Sequence, residues 1–271
     1  MNLIDPATIA RKTKYDRIMV YVYNEIVGDQ NPHDLPEDLL FNLDTVRQAM
    51  DRAVQDGVLD KRVKNVADIK YTYDARKDLP LEVRQHGERT WLQVAKGQYK
   101  FKKTKRKNLI DLPGALDDPP EAETIIDPTP RFVSDLISSD EQGTFTRVRN
   151  AGLISQFLGY QAWPIQGHAR TTVSYGQIEV DEVQAGLDRD QVVIVPISGK
   201  GGQDKLSWSQ ALNLNTFGAQ KAGTIAARVR SLGLWRDYEN AVWIVEFTPN
   251  LEIDEIEIAQ VRRFKFRTEL Q

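Results

Sequence analysis

Apolar and polar positions along this chain follow two periods, and the change from one to the other marks out its elements. Over residues 15–27 the apolar side chains of Ile18, Met19, Tyr21, Val22 and Ile26 recur at the spacing of one helix face. A turn-rich stretch over 28–36 follows, and Asp44 then stands where a cap is needed for a helix over 45–55 that Gly57 stops. On that helix Val46, Ala49, Met50 and Ala53 face inward, leaving Arg47, Gln48 and Arg52 toward solvent. Residues 90–101 alternate as two strands broken at Lys96-Gly97. Further on, Ser138-Ser139-Asp140-Glu141 opens a helical stretch that runs through Phe157 and ends at Gly159. Residues 177–183 alternate as a strand, 185–190 make a turn, and 191–202 form an apolar strand ending in a glycine break. A helix from about Leu206 through Ala222 comes next, and 240–247 and 257–266 read as further strands extending the sheet.

The sharpest discontinuity is the run 111–130, rich in proline and acid and without any Lys or Arg. Proline withholds backbone donors and repelling carboxylates favour extension, so it reads as a linker. The predicted organisation is a module over 1–110, the linker over 111–130 and a second module over 131–271.

Composition narrows the classes. The chain has 271 residues, no cysteine and 3 histidines, which are scattered, so thiolate and histidine-based metal sites are both disfavoured. No stretch is long and apolar enough to cross a bilayer, and the first residues lack the layout of a signal peptide. A cytoplasmic protein without a membrane partner is expected. The net charge of −3 hides an asymmetry: up to about residue 110 Lys and Arg outnumber Asp and Glu, and beyond it the balance reverses.

In the first module, helices followed by a two-stranded ribbon with a basic edge resemble a winged helix. Such an arrangement lays the second or third helix in the major groove and runs the ribbon along phosphate. Arg47, Gln48 and Arg52 are the helix candidates; Lys100, Lys102, Lys103, Lys105 and Arg106, abutting the aromatic residues Trp91, Tyr99 and Phe101, are the ribbon candidates. Arg147 and Arg170 are added as phosphate contacts in the second module.

The chemistry sits on the two predicted strands of that module. Side chains two apart on a strand share a face, so Glu179 and Asp181 point together, as do Ser198 and Lys200, while Glu182 points away and is expected in a solvated or structural ion pair. An acid on one strand, a turn, and a second strand ending in lysine and two glycines resemble the core of the PD-(D/E)XK nucleases. The segment from Asp140 to about Gln210 is similar to restriction-type members that carry Glu-Val-Asp-Glu before the turn and Glu-x-Lys-Gly-Gly after it. The resemblance implies an α/β (α+β) fold: a winged-helix-like domain, then a PD-(D/E)XK core with a mixed sheet flanked by helices. It also implies Mg²⁺-dependent, sequence-specific cleavage of double-stranded DNA, a homodimer that cuts both strands, and a companion DNA methyltransferase in the same system.

Carried over residue by residue, Asp181 becomes the principal metal ligand and Lys200 the catalytic lysine. Gln210 falls where related nucleases place a supporting glutamine. The family's second acid falls on Ser198, a poor ligand for a hard cation. Glu141, Glu179 and Asp204 are the candidates to replace it, Glu141 first because the corresponding helix often carries an acid. Two other functions stay open: a DNA-binding protein whose nuclease core no longer cuts, and a repair or mobile-element nuclease without sequence preference.

Overall fold

A computed structural model describes residues 9, 11–31, 34–112, 120–173, 176–201, 204–237, 239–250 and 255–267. It divides into two compact units, Met1–Leu109 with Thr172–Gly176, and Ile110–Thr171 with Gln177–Gln271. Helices and strands are mixed in both, and no helix among the described residues is long and apolar enough to cross a membrane.

In the first unit α1 (Lys14–Val27) is capped by Thr13 and ends at Gly28, whose φ of 55° few residues but glycine adopt. Next come β1 (Asp38–Asn42), α2 (Leu43–Gln55), α3 (Val66–Ala75), the short α4 (Leu81–Arg84), β2 (Arg89–Ala95) and β3 (Gln98–Lys103). The strands pair antiparallel in the order β1-β3-β2. The cap of α2 is Asn42 rather than Asp44: Asn42 Oδ1 accepts from Thr45 N at 2.9 Å, and the Thr45 hydroxyl accepts from Asn42 N in return.

Val46, Ala49, Met50 and Ala53 do face inward, into a core with α1 and the sheet. Trp91 and Phe101, read from sequence as neighbours of a DNA-facing edge, are part of that core at 2% and 0% exposure. Strand alternation explains the correction: Tyr99 and Phe101, two apart, turn to one face toward Phe41 and Trp91, while Lys100 and Lys102 point to the other.

The second unit is built on one large mixed sheet. Its elements are β4 (Ala122–Ile126), α5 (Arg131–Ser134), α6 (Glu141–Asn150), α7 (Leu153–Leu158), β5 (Ala162–Val173), β6 (Gly176–Asp188), β7 (Gln191–Lys200), α8 (Trp208–Ala222), β8 (Arg228–Val229), β9 (Ser231–Arg236), β10 (Val242–Asn250) and β11 (Glu255–Arg267). The strand order is β4-β11-β10-β9-β7-β6-β5, with β8 beside β7. Pairing is antiparallel for β6–β7, β9–β10 and β10–β11, and parallel for β7–β9 and β4–β11. Phe145 and Val148 of α6 pack with Val193, Val195 and Ile197 on one face. On the other face α8 lies against Pro196 and Val229, so closely that a Cβ at Gly218 would come within 2.3 Å of Val229.

The run read as a linker holds structure. Residues 122–126 are the edge strand β4, and its acids are matched by arginines: Glu123 by Arg262 at 2.7 Å, and buried Asp127 by Arg147 at 3.1 Å. Glu123 and Asp127 are thereby neutralised and held in place. Residues 113–119 of that run lie outside the described ones.

The turn read over 185–190 is shorter. Asp188 pairs with Gln191, and only Arg189 and Asp190 turn, with φ of 46° and 69°, the pattern of a two-residue hairpin loop. Gly186 lies within β6, where a Cβ would come within 2.7 Å of the Gln161 carbonyl. It serves close approach, not turning.

Candidate active site

The β6–β7 hairpin places the predicted residues. Its ladder matches Glu182 with Ile197, so the next position along brings Asp181 opposite Ser198. The Ser198 hydroxyl donates to Asp181 Oδ2 at 2.8 Å and the Gly199 amide donates to the same oxygen at 2.9 Å. Lys200, two positions beyond Ser198, shares their face. Its side chain belongs to a residue only 8% exposed, and it makes no hydrogen bond or ion pair with a described residue.

Glu141 reaches the same end of the sheet from α6. Asp140 caps that helix by accepting from Gly143 N at 2.9 Å, which sets Glu141 in the first turn. The approach depends on glycine: a Cβ at Gly199 would lie 2.5 Å from the Phe145 ring and 3.3 Å from Glu141 Cγ, and one at Gly201 would lie 3.4 Å from Glu141 N. From sequence these glycines read only as a strand break, because nothing local reveals that a helix sixty residues away (roughly, by chain separation) rests on them.

Burial pushes the Glu141 carboxyl up to about 7; Asp181 pushes the same way, Lys200 opposes, and Asp204 and Asp140 add further upward pushes. The five groups therefore share one electrostatic environment.

That shift makes a prediction. The native state holds the Glu141 proton more tightly than the unfolded chain, so its contribution to stability is present at low pH and is lost as pH rises through the window up to about 7. Glu141→Gln carries no charge to lose. Its urea midpoint is expected to gain on the parent protein as pH rises from about 4 to about 8; pH profiles that stay parallel would take Glu141 out of the cluster.

The other predicted residues are placed differently. Glu179 is 43% exposed at its side chain and is gripped in bidentate fashion by Arg170 at 3.0 and 3.2 Å, with His168 at 3.9 Å. Its carboxylate thus serves Arg170, and Arg170 in turn is engaged by it. Glu182 is buried, accepting from Arg149 Nε at 2.6 Å and Gln184 Nε2 at 2.5 Å, so its ion pair is structural on the carboxylate side, while Arg149 keeps contact with solvent. Gln210 sits at the start of α8, its amide nitrogen of the backbone 3.2 Å from the Ser207 hydroxyl and its own Oε1 3.3 Å from it. Gly202 of the glycine break lies outside the described residues.

Among the predicted DNA contacts, Arg47 pairs with Asp44 at 3.0 Å, Arg52 with Glu25 at 2.9 Å, Lys100 with Asp38 at 2.7 Å and Arg147 with Asp127 at 3.1 Å. Gln48, Lys103 and Lys105 are exposed, and Lys102 and Arg106 are half-buried.

Among the described residues no group of three or more His, Asp or Glu side chains is arranged to hold a metal ion. The coupled carboxyls of Asp181 and Glu141 remain, and one or two carboxylates are what Mg²⁺ ordinarily takes from a protein, water and phosphate completing its shell. Comparison of the chain with family models, curated proteins and solved structures finds no match.

Proposed function

We propose that this protein is a Mg²⁺-dependent endonuclease of restriction type, with a winged-helix DNA reader in its first unit and a PD-(D/E)XK-like core in its second. The observation that carries the reading is the common face of Asp181, Ser198 and Lys200 at the end of β6–β7, with the Glu141 carboxyl in the same electrostatic environment. The winged-helix reading is supported by the order helix, strand, three helices (the last a single turn) and ribbon, and by the sheet order β1-β3-β2. It would direct α2 or α3 to the groove and set Lys102, Lys103, Lys105 and Arg106 along phosphate.

Asp181 and Glu141 would hold the cation, whose contribution when bound is to polarise the phosphate and to make water a better nucleophile. Ser198 takes a role other than ligand: its hydroxyl and the Gly199 amide fix one Asp181 oxygen. Lys200 offsets phosphate charge and orients the attacking water. Cutting both strands symmetrically calls for two copies, hence a homodimer, and self-protection of the host calls for a companion methyltransferase.

A second reading, a DNA-binding protein that does not cut, is favoured by the serine in the acid's place and by the absence of a three-acid cluster among the described residues. Plasmid DNA incubated with Mg²⁺ or with a chelator separates the readings. Discrete fragments only with Mg²⁺ are expected; a smear indicates cleavage without sequence preference, and intact DNA retarded in a gel indicates binding alone.

A further inference from the structure

A cavity lies within the first unit. The start of α2, the segment 62–67 and the β3 residue Tyr99 enclose a cavity of about 540 Å³, well within the roughly 300–1,000 Å³ of small-ligand pockets. Its wall is apolar: Leu43, Met50, Val63 and Val66 line it beside the Tyr99 ring. That ring is held by Trp91 at 5.4 Å and Phe41 at 5.6 Å and is half-buried, so it offers a rigid aromatic surface to the cavity. The rim is cationic. Arg47 and Arg62 are tethered by Asp44 and Asp51, and Lys64 is exposed and makes no ion pair or hydrogen bond with a described residue. The one amide on the lining, Asn65, is already committed, accepting from Ala67 N at 3.0 Å and donating to Asp68 at 2.8 Å.

An apolar slot with an aromatic surface and a cationic rim fits a planar, weakly polar body that carries an anionic group. We propose that this cavity binds a nucleoside monophosphate unit, its base on Tyr99 and the apolar wall and its phosphate at Lys64 and the two arginines. Stacking favours purines, and with Asn65 committed there is little to read one base edge against another. The unit arrives either as a free nucleotide or as one nucleotide of a DNA chain turned out of its stack. Neither source depends on the nuclease reading, since the cavity is lined by the first unit alone.

Calorimetric titration of the full-length protein with adenosine 5′-monophosphate, in chelator, tests the free source. Binding is expected, with adenosine roughly tenfold weaker and Lys64→Ala roughly tenfold weaker; Lys64→Arg restores it, and Ala67→Phe, at an exposed position on the lining, blocks it. Duplex DNA carrying 2-aminopurine tests the other source: a fluorescence rise on binding that Ala67→Phe suppresses marks a nucleotide drawn into the cavity. Either signal, lost in Ala67→Phe while its melting curve stays that of the parent, supports the proposal. The absence of both signals, or their persistence in Ala67→Phe and Lys64→Ala alike, overturns it.

Discussion

Cleavage of plasmid DNA is expected to fall by about three orders of magnitude in Asp181→Asn and in Lys200→Met, with the double variant no worse than either alone. Removing a single preorganised electrostatic group from an active site costs on the order of 10²–10³ in rate, and groups that act as one unit are strongly non-additive. The asparagine is chosen because Asp181 Oδ2 accepts from Ser198 and Gly199. An alanine would leave those donors unsatisfied and add about 1–3 kcal/mol of instability to the reading. Methionine keeps the volume of the Lys200 stem, which matters for a residue only 8% exposed. Both variants should still retard DNA in a gel at moderate salt, since the basic residues of the first unit are untouched. Parent-like cleavage by either would remove the hairpin from the chemistry, whatever nuclease activity the protein has.

The largest effect on stability is expected from Arg149→Leu. Glu182 is 1% exposed, and Arg149 is the cation that matches it, at 2.6 Å. Arg149 is 37% exposed at its side chain while Glu182 is buried, so removing the arginine leaves a buried charge that solvent screens in part. The cost falls below the roughly 3–5 kcal/mol of a fully buried pair, whereas replacing both by apolar residues is often near neutral. Arg149→Leu should therefore lower the urea midpoint of the protein sharply, and Arg149→Leu combined with Glu182→Leu should recover most of the loss. Circular dichroism across a urea series measures both. If the double variant is no more stable than the single, the pair is not what holds α6 against β6, and Glu182 would need another role.

Glu182 and Asp181 show how far local reasoning reaches. Adjacent strand positions face opposite ways, which separates the two side chains without any structure in hand. That Glu182 is buried while Asp181 is not follows from α6 covering one face of the hairpin, and no local pattern announces it. Similarly, alternation found β6 and β7, but β1, β4, β5, β8 and β9 went unread. β1 is five residues long, and β4 sits in a run whose prolines and acids mimic a tether. One predicted helix over 141–157 is two, α6 and α7, parted at Gly152 with a φ of 60°.

Residue order alone determined the hairpin, the face shared by Ser198 and Lys200, and the presence of an acid and a lysine at its open end, because strand geometry is a matter of counting by two. Only the tertiary structure decided which acid joins them. It brings Glu141 and Asp204 into one field with Lys200 and commits Glu179 to Arg170. It also turns Trp91 and Phe101 from surface candidates into core. These are contacts between residues far apart along the chain, fixed by close packing of helix on sheet, and a local period carries no record of them.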